Sequence, residues 1–586
     1  MPFPTFAGNP RPSAADLDIA FSVGVPHVSL EAYASLCTVV GGETRWDAAF
    51  AAALADAIAR KLPLWMGGNG IKYFTSGLNC SANDVTKDGL ALYGAGTAYT
   101  KIVVRATTGA VLECQGVDRF HVRGVQFSGD CPVGIATGRA TVRQWGGHHW
   151  YEDVRVIMTD NMAANSGIGT IGFLGIEPEE SCWENCEFWA NLPVIICPPN
   201  NISVQTLNSD GTLAAKRTHS YTPQYTPIVA SLMSNTVFRF TGGCRFVAWQ
   251  CDSPPLVLRS VSSLHLGDTF LQMRGGGTNP SALARKCPFG IDAENCWNVS
   301  WFGTFERGVD DTKTDVGFAI LSGTLANWTV SANAGTASSV TPNKVPVIYG
   351  VDFTGAVWSN HDIRLRLNGV QAQYPFAWSS TTTSLTNIFN CNYDIASTAS
   401  LSTLPQQMFF NASDVSVRMI GSNTTVPVTL RKPTRYRQEL VAAKDIAYNT
   451  ATVVATCVLP PSGLSAGTLM FRNVQLHAGF VAGLPQTALL SGQFDVSWKR
   501  NSDGTQLAAT VTGSSWSSST KTASASLDIA APTISIVLSG NASFEVKVTP
   551  VLSGTSASGT TTRFEGDMIA VASYGVNSTT AIVTTQ

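Results

Sequence analysis

Charge is what this chain has least of. Asp, Glu, Lys and Arg make up 13% of its 586 residues, about half of the roughly 25% usual in soluble domains, and the formal net charge is -2. That balance supplies no broad basic field, so nucleic acid is a poor main partner, and a neutral polar ligand such as a sugar chain fits better. Paired-cysteine patterns are missing as well. The thirteen cysteines show no CxxC or Cys/His metal spacing, and the closest two are Cys182 and Cys186. Most sit in apolar stretches, such as Cys244 in GGCRFVAW and Cys296 in ENCWNVSW, which reads as buried free thiols made in a reducing compartment. No run approaches the length of a membrane span, and the opening MPFPTFAGNPRPSAADLD lacks the basic and apolar regions of a secretion signal. Neither a metal nor a cofactor is expected.

Helix is scarce too. One segment, TRWDAAFAAALADAIARKLP, has helical spacing, with Trp46, Phe50, Leu54 and Ile58 on one face. Thr44 is placed to cap its start with Asp47 three residues later, Arg60 and Lys61 suit its C-terminal dipole, and Pro63 stops it.

What the chain has in quantity is turn chemistry, with 52 glycines and abundant Ser, Thr and Asn. Between the helix and residue 430 a loose repeat recurs, in which an apolar pair at i and i+2 leads into a turn and a second apolar pair. Its anchors are Phe120/Val122, Phe238/Phe240, Leu264/Leu266, Trp297/Val299, Trp328/Val330 and Ile363/Leu365, the last five spaced 26, 33, 31 and 35 residues apart. Short strands at that period with Gly and Asn turns match a stack of β-coils better than a helical array or a propeller. The helix before the first coils is suited to cover the open end of their core. Near residue 430, after the basic run from Arg431 to Arg437, the alternation becomes cleaner: QFDVSW puts Phe494, Val496 and Trp498 on one face, and TISIVL and FEVKV follow the same period of two. This predicts an antiparallel β-sandwich or jelly-roll-like module.

The stretch VSLEAYASLCTVVGGETRWDAAFAAALADAIARKLPLWMGGNGIKYFTSGL, followed by DGLALYGAGTAYTKIVV with LYGAG at 92–96, resembles the start of a pectate-lyase-like right-handed parallel β-helix. Together with a C-terminal β-module and no secretion signal, it is similar to bacteriophage tailspikes. The resemblance implies an all-β chain: a short N-terminal attachment segment (1–40), a parallel β-helix with a capping helix (41–430) and a C-terminal module for trimerisation or carbohydrate binding (431–586). It also implies a homotrimer on a phage tail or adaptor protein, made in the host cytoplasm, that binds and cleaves bacterial surface polysaccharide. The polygalacturonase-type motifs NTD, DD with GHG, and RIK are absent as a set, so no catalytic residue transfers by motif.

Glycoside hydrolysis needs one protonated and one ionised carboxyl group. In a β-solenoid, acids one period apart in sequence stack at the strand spacing of about 4.8 Å. The densest acids in this charge-poor chain lie in GIDAENCWNVSWFGTFERGVDD, residues 290–311. Asp292, Glu294, Glu306 and Asp310, with Asp268 one coil earlier, are the candidate catalytic carboxylates, and Asp311 adjoins them. Arg274 and Arg307, each ten residues beyond an anchor, are expected to stack beside Glu306, and Trp301 to offer a ring to a sugar. The plainer reading is that Trp297, Val299 and Phe302 are core and the acids a solvated coil edge. Two rival clusters are GGHHWYEDVRV (His148, His149, Trp150, Tyr151, Glu152, Asp153) and EPEESCWENCEFW (Glu177, Glu179, Glu180, Glu184, Glu187, with Trp183 and Trp189). Hydrolysis is preferred because acids outnumber bases. A polysaccharide lyase using an Arg with Tyr or His, a non-catalytic receptor-binding fibre, and a bacterial enzyme exported without a leader are the alternatives.

Overall fold

The computed structural model describes residues 26–68, 70–82, 85–105, 109–129, 139–158, 170–199, 201–205, 215–219, 238–249, 254–274, 289–307, 317–334, 346–351, 357–367, 374–378, 387–397, 409–410, 412–420, 427–431, 436–447, 449–458, 465–478, 488–501, 505–521, 527–541, 543–554, 561–574 and 581–585. Two compact units result, one of residues 1–314 and 318–320, the other of 315–317 and 321–586.

The first unit is a parallel β-helix whose coils contribute short strands to three sheets, here A, B and C. In sheet A the inward residues run in register through Leu64, Leu92, Val122, Tyr151, Trp183, Phe240, Leu266 and Trp301. Sheet B stacks Ile102, Phe127, Val156, Phe188, Phe246, Leu271 and Phe305, and sheet C stacks Leu112, Val142, Phe173, Val194, Leu256 and Ile291. All of these are buried. Three successive rings of sheet A meet face to face: Tyr151 and Trp183 lie 5.5 Å apart, and Trp183 and Phe240 4.6 Å. Two corners give the coils their shape by placing one residue in the left-handed region. Gly124, Asp153, Asn185, Gly242 and Asp268 turn the chain from A to B, and Gly116, Gly146, Glu177, Ser260 and Asn295 turn it from C to A.

The helix α1, Asp47–Arg60, buries Ala49, Phe50, Ala53, Leu54 and Ala57 against the strands Val28–Ser29 and Leu64–Trp65 of the first coil. Its C-terminus is closed by Lys61 at φ 52°. The expected cap at its start is corrected. Thr44 lies in the strand Glu43–Arg45, Trp46 occupies the cap position without a side-chain bond, and the Asp47 carboxylate instead accepts from the Thr75 and Ser76 amides. The described cysteines are all free thiols, most of them buried.

Sheet C is apolar on its outer face as well. Leu174, Ile195 and Val257 follow one another in register there and are covered by Ile202 and Val204 of the strand Ile202–Val204, which pairs antiparallel with Arg217–His219.

The second unit has parallel coils of its own, in which residues 325–334 of the strand Gly317–Ala334 pair with Val357–Leu367, and Asn387–Ser397 and Ala412–Ile420 follow. Asn327, Asn360 and Asn390, at φ 53° to 57°, share one corner, and their amides form a chain: Asn390 donates to Asn360 at 2.7 Å and Asn360 to Asn327 at 2.9 Å. Asn360→Gly should keep the backbone and lose only the amide bonds, costing about 1 kcal/mol, whereas Asn360→Ala adds the left-handed strain of a Cβ and should cost about 2–3 kcal/mol. Denaturant unfolding of both variants checks the order. From Pro427 onward pairing is antiparallel apart from Phe409–Phe410 with Leu430 and Arg431. Two sheets result, and Trp498 of one meets Phe544 of the other at 5.8 Å.

Candidate functional site

The acids predicted to act together are distributed over different faces. Asp292 and Glu294 lie on the outer face of sheet C, following Val257 and Arg259 in register. Asp292 is fully buried. It binds the Arg259 guanidinium at 2.6 and 3.0 Å and accepts the Gln205 amide at 2.8 Å. Glu294 lies 3.4 Å from the same guanidinium and 2.8 Å from Lys216. This cluster pins the covering strand to the coils and gives Asp292 no open side for a substrate. Asp268 is exposed at the A-to-B corner, while Glu306, on the outer face of sheet B, accepts from Gln272 at 2.7 Å. Gln272 in turn accepts from Arg245, and Arg245 and Arg155 flank Glu187. Asp310 and Asp311 lie outside the described residues.

Three further expectations are corrected. Trp301 is fully buried, stacked on Phe318 at 5.5 Å, and its Nε1 donates to the Thr269 carbonyl. Trp297 and Phe302, expected in the core, are exposed instead, at 37% and 47%. Arg274 and Arg307 are not partners in register: Arg307 pairs with Met273, because Leu264 aligns with Val299, two residues beyond Trp297, and the bulge at Asp268 restores only one of those two. Left-handed Asn298 causes the first slip, since Trp297 and Val299 on either side of it face opposite ways.

The outer face of sheet A brings together the chemistry of the rival cluster GGHHWYEDVRV. Along the strand His148–Glu152, alternation sends His149 and Tyr151 inward and His148, Trp150 and Glu152 outward. Trp150 is 50% exposed and lies 5.9 Å from the His121 ring of the preceding coil. Around it a chain of polar contacts crosses three coils. Tyr93 Oη is 3.1 Å from His121 Nδ1, His121 Nε2 is 3.9 Å from Glu152, and Arg123 Nε is 3.4 Å from Glu152. Glu184 is exposed and stands in register with Glu152 one coil on. Asp153 takes the corner position beside both, with its amide bonded to the Glu184 carbonyl and its carboxylate 3.5 Å from the Asn185 amide. At the other end of the strand His148 Nδ1 is 2.5 Å from Asp118, and Nε2 is 3.7 Å from Glu180.

Electrostatics separates these acids. Burial raises the Asp153 carboxyl; the Arg123 charge opposes this and the smaller effect of the Glu152 charge adds to it. Burial would raise Asp118 as well, but hydrogen bonds from His148 outweigh it and hold Asp118 low. Glu184 lies 32 residues after Glu152, within the coil period, so the pairing was readable; neighbouring acids in one short run drew attention from it. Among the described residues no group of acids, histidines and cysteines is arranged to hold a metal ion.

Burial pushes the inward His149 down to about 4 even though it bonds the Val117 carbonyl, and it pushes the buried His361 of the second unit to about 4 as well. Both fold as neutral rings, whereas an unfolded imidazole titrates near 6.5. Their stabilising share is therefore full above pH 6.5 and is lost as the pH falls toward 4. The melting temperature should decline across that window, and His149→Gln should flatten the decline.

No protein-family model and no curated protein matches the chain. Solved structures similar to it include the Acinetobacter phage vB_ApiP_P1 tailspike protein, at 13% identity and TM-score 0.32 over 95% of this chain and 89% of that one. The enzymatically active domain of bacteriophage CBA120 tailspike protein 2 is another, at 10% identity and TM-score 0.38 over 94% and 83%. A third is Pantoea stewartii WceF, a glycan biofilm modifying enzyme with a tailspike-like parallel β-helix, at 11% identity and TM-score 0.24 over 97% and 64%. The fold assignment for this chain rests on its own strand register.

Proposed function

We propose that this chain is a phage tailspike that binds a bacterial surface polysaccharide on the outer face of sheet A and cleaves it within the chain by glycoside hydrolysis. The observation that carries the reading is the in-register pair Glu152 and Glu184 beside Asp153, whose carboxyl is raised by burial, next to the exposed Trp150 ring. Asp153, protonated, gives its proton to the leaving glycosidic oxygen. Glu184, exposed, attacks the anomeric carbon or activates water. Glu152 is held by Arg123 beside Asp153. Activity should fall on the alkaline side as Asp153 loses its proton. Sugar rings stack on Trp150. Assembly as a homotrimer on a phage tail or adaptor belongs to the same reading.

A lyase is the second reading, favoured by the hydrogen-bonded Tyr93–His121 pair, which could take a proton from beside a uronate carboxyl. Incubation with capsular, exopolysaccharide and O-antigen preparations tests both. New reducing ends without absorbance near 235 nm support hydrolysis, and absorbance there supports a lyase. Glycans that are bound but never shortened would make the protein a non-catalytic fibre.

A further inference from the structure

We propose that Arg239 anchors a subsite for an acidic sugar, so that the glycan taken by this face carries a carboxylate one or two residues from the bond that is cut. The inference rests on the glycan-cleaving reading of sheet A. Trp150, Cys182 and Arg239 follow one another in register on the outer face, which places Arg239 two coils, about 10 Å, from the exposed ring. Arg239 is exposed, and no hydrogen bond or ion pair engages it among the described residues. The other arginines of this face are partnered: Arg123 by Glu152 at 3.4 Å and Arg119 by Asp118 at 3.5 Å.

The charge along the face is lopsided. Glu152, Asp153 and Glu184 crowd the coils on one side of Arg239. On the other side the outward residues are His265, with Nδ1 2.7 Å from Ser300, and the exposed Phe302, and the nearest acid there is Asp268 at the corner. A polyanion laid along the axis would be repelled at Glu152 and Glu184. It can settle only with its own carboxylate displaced toward Arg239, whose planar fork accepts a carboxylate through two parallel bonds. A neutral glycan would gain nothing from that guanidinium. Arg239, without a partner among the described residues, therefore selects for charge, and its spacing from the carboxyl pair fixes which sugar carries it.

The experiment uses the full chain and a panel of uronate-bearing capsular polysaccharides, each compared with its own carboxyl-reduced form, with reducing ends and binding to the immobilised glycans as readouts. The wild type should show a KM at least about 10-fold lower for an acidic glycan than for its reduced form, as expected for a charge-assisted bidentate contact. Arg239→Gln should abolish that preference with kcat on the reduced form unchanged, Arg239→Lys should restore part of it, and added salt should erode it in the wild type. Equal use of both forms by the wild type, or a preference that survives Arg239→Gln, overturns the subsite while leaving the glycan-cleaving reading intact. A panel that is neither bound nor cut removes both.

Discussion

Arg259→Ala is expected to cost the β-helix about 3–5 kcal/mol, the usual penalty for leaving one member of a buried ion pair behind. Arg259 is fully buried. Its guanidinium spans Asp292 and Glu294 and also donates to Ser203 Oγ at 3.0 Å and to the carbonyls of Leu258 and Asp292. Without it the Asp292 carboxylate would remain out of water with only the Gln205 amide to hold it. The double change Arg259→Met with Asp292→Leu should be milder than either single truncation, since no orphan charge is created. Denaturant unfolding followed by tryptophan emission measures both, and a loss below about 1 kcal/mol for Arg259→Ala would show that the pair is not desolvated as described.

The second large effect concerns the chemistry. Asp153→Asn should lower kcat on a cleaved glycan by about 10²–10⁴-fold, the contribution typical of a general acid, and Glu184→Gln should do at least as much if it is the nucleophile. Asparagine favours the left-handed corner that Asp153 occupies at φ 49°, so the fold should survive and the loss can be read as chemistry. On substrates with an activated leaving group, which need little protonation, Asp153→Asn should recover much of its rate. Glu306→Gln provides the contrast, because its partner Gln272 belongs to a polar ladder on a different face. A large loss at Glu306 with full activity at Asp153 would return the site to the acid cluster of residues 290–311.

The period of the coils and the position of α1 were legible because both depend on local rules, apolar spacing along a helix and recurrence along a strand. Phase was not. Alternation read straight through WNVSWF fails at Asn298, where one left-handed residue turns Trp297 outward and lets Val299 and Trp301 face the core. Nothing in the local pattern marks which asparagine bends the chain, although Asn327, Asn360 and Asn390, spaced 33 and 30 apart, carry that signal when compared with one another. The role of Asp292 was hidden for a different reason. Its partner Arg259 lies on the previous coil, and what excludes water from both is the strand Ile202–Val204, which belongs to no repeat. In the run His148–Glu152, by contrast, strict alternation holds, and the exposed Trp150 and Glu152 follow directly from it.

One step in the aromatic stack is twice the others. Trp183 and Phe240 are neighbours in register yet lie 57 residues apart, against 26 to 35 for the steps on either side of them within the stack after Val122 that hold no such excursion, and their rings still meet at 4.6 Å. A detour of that length leaves the register of sheet A unbroken, yet its strand Ile202–Val204 is the roof over Leu174, Ile195 and Val257, so trimming it would open sheet C and the Arg259–Asp292 pair to water.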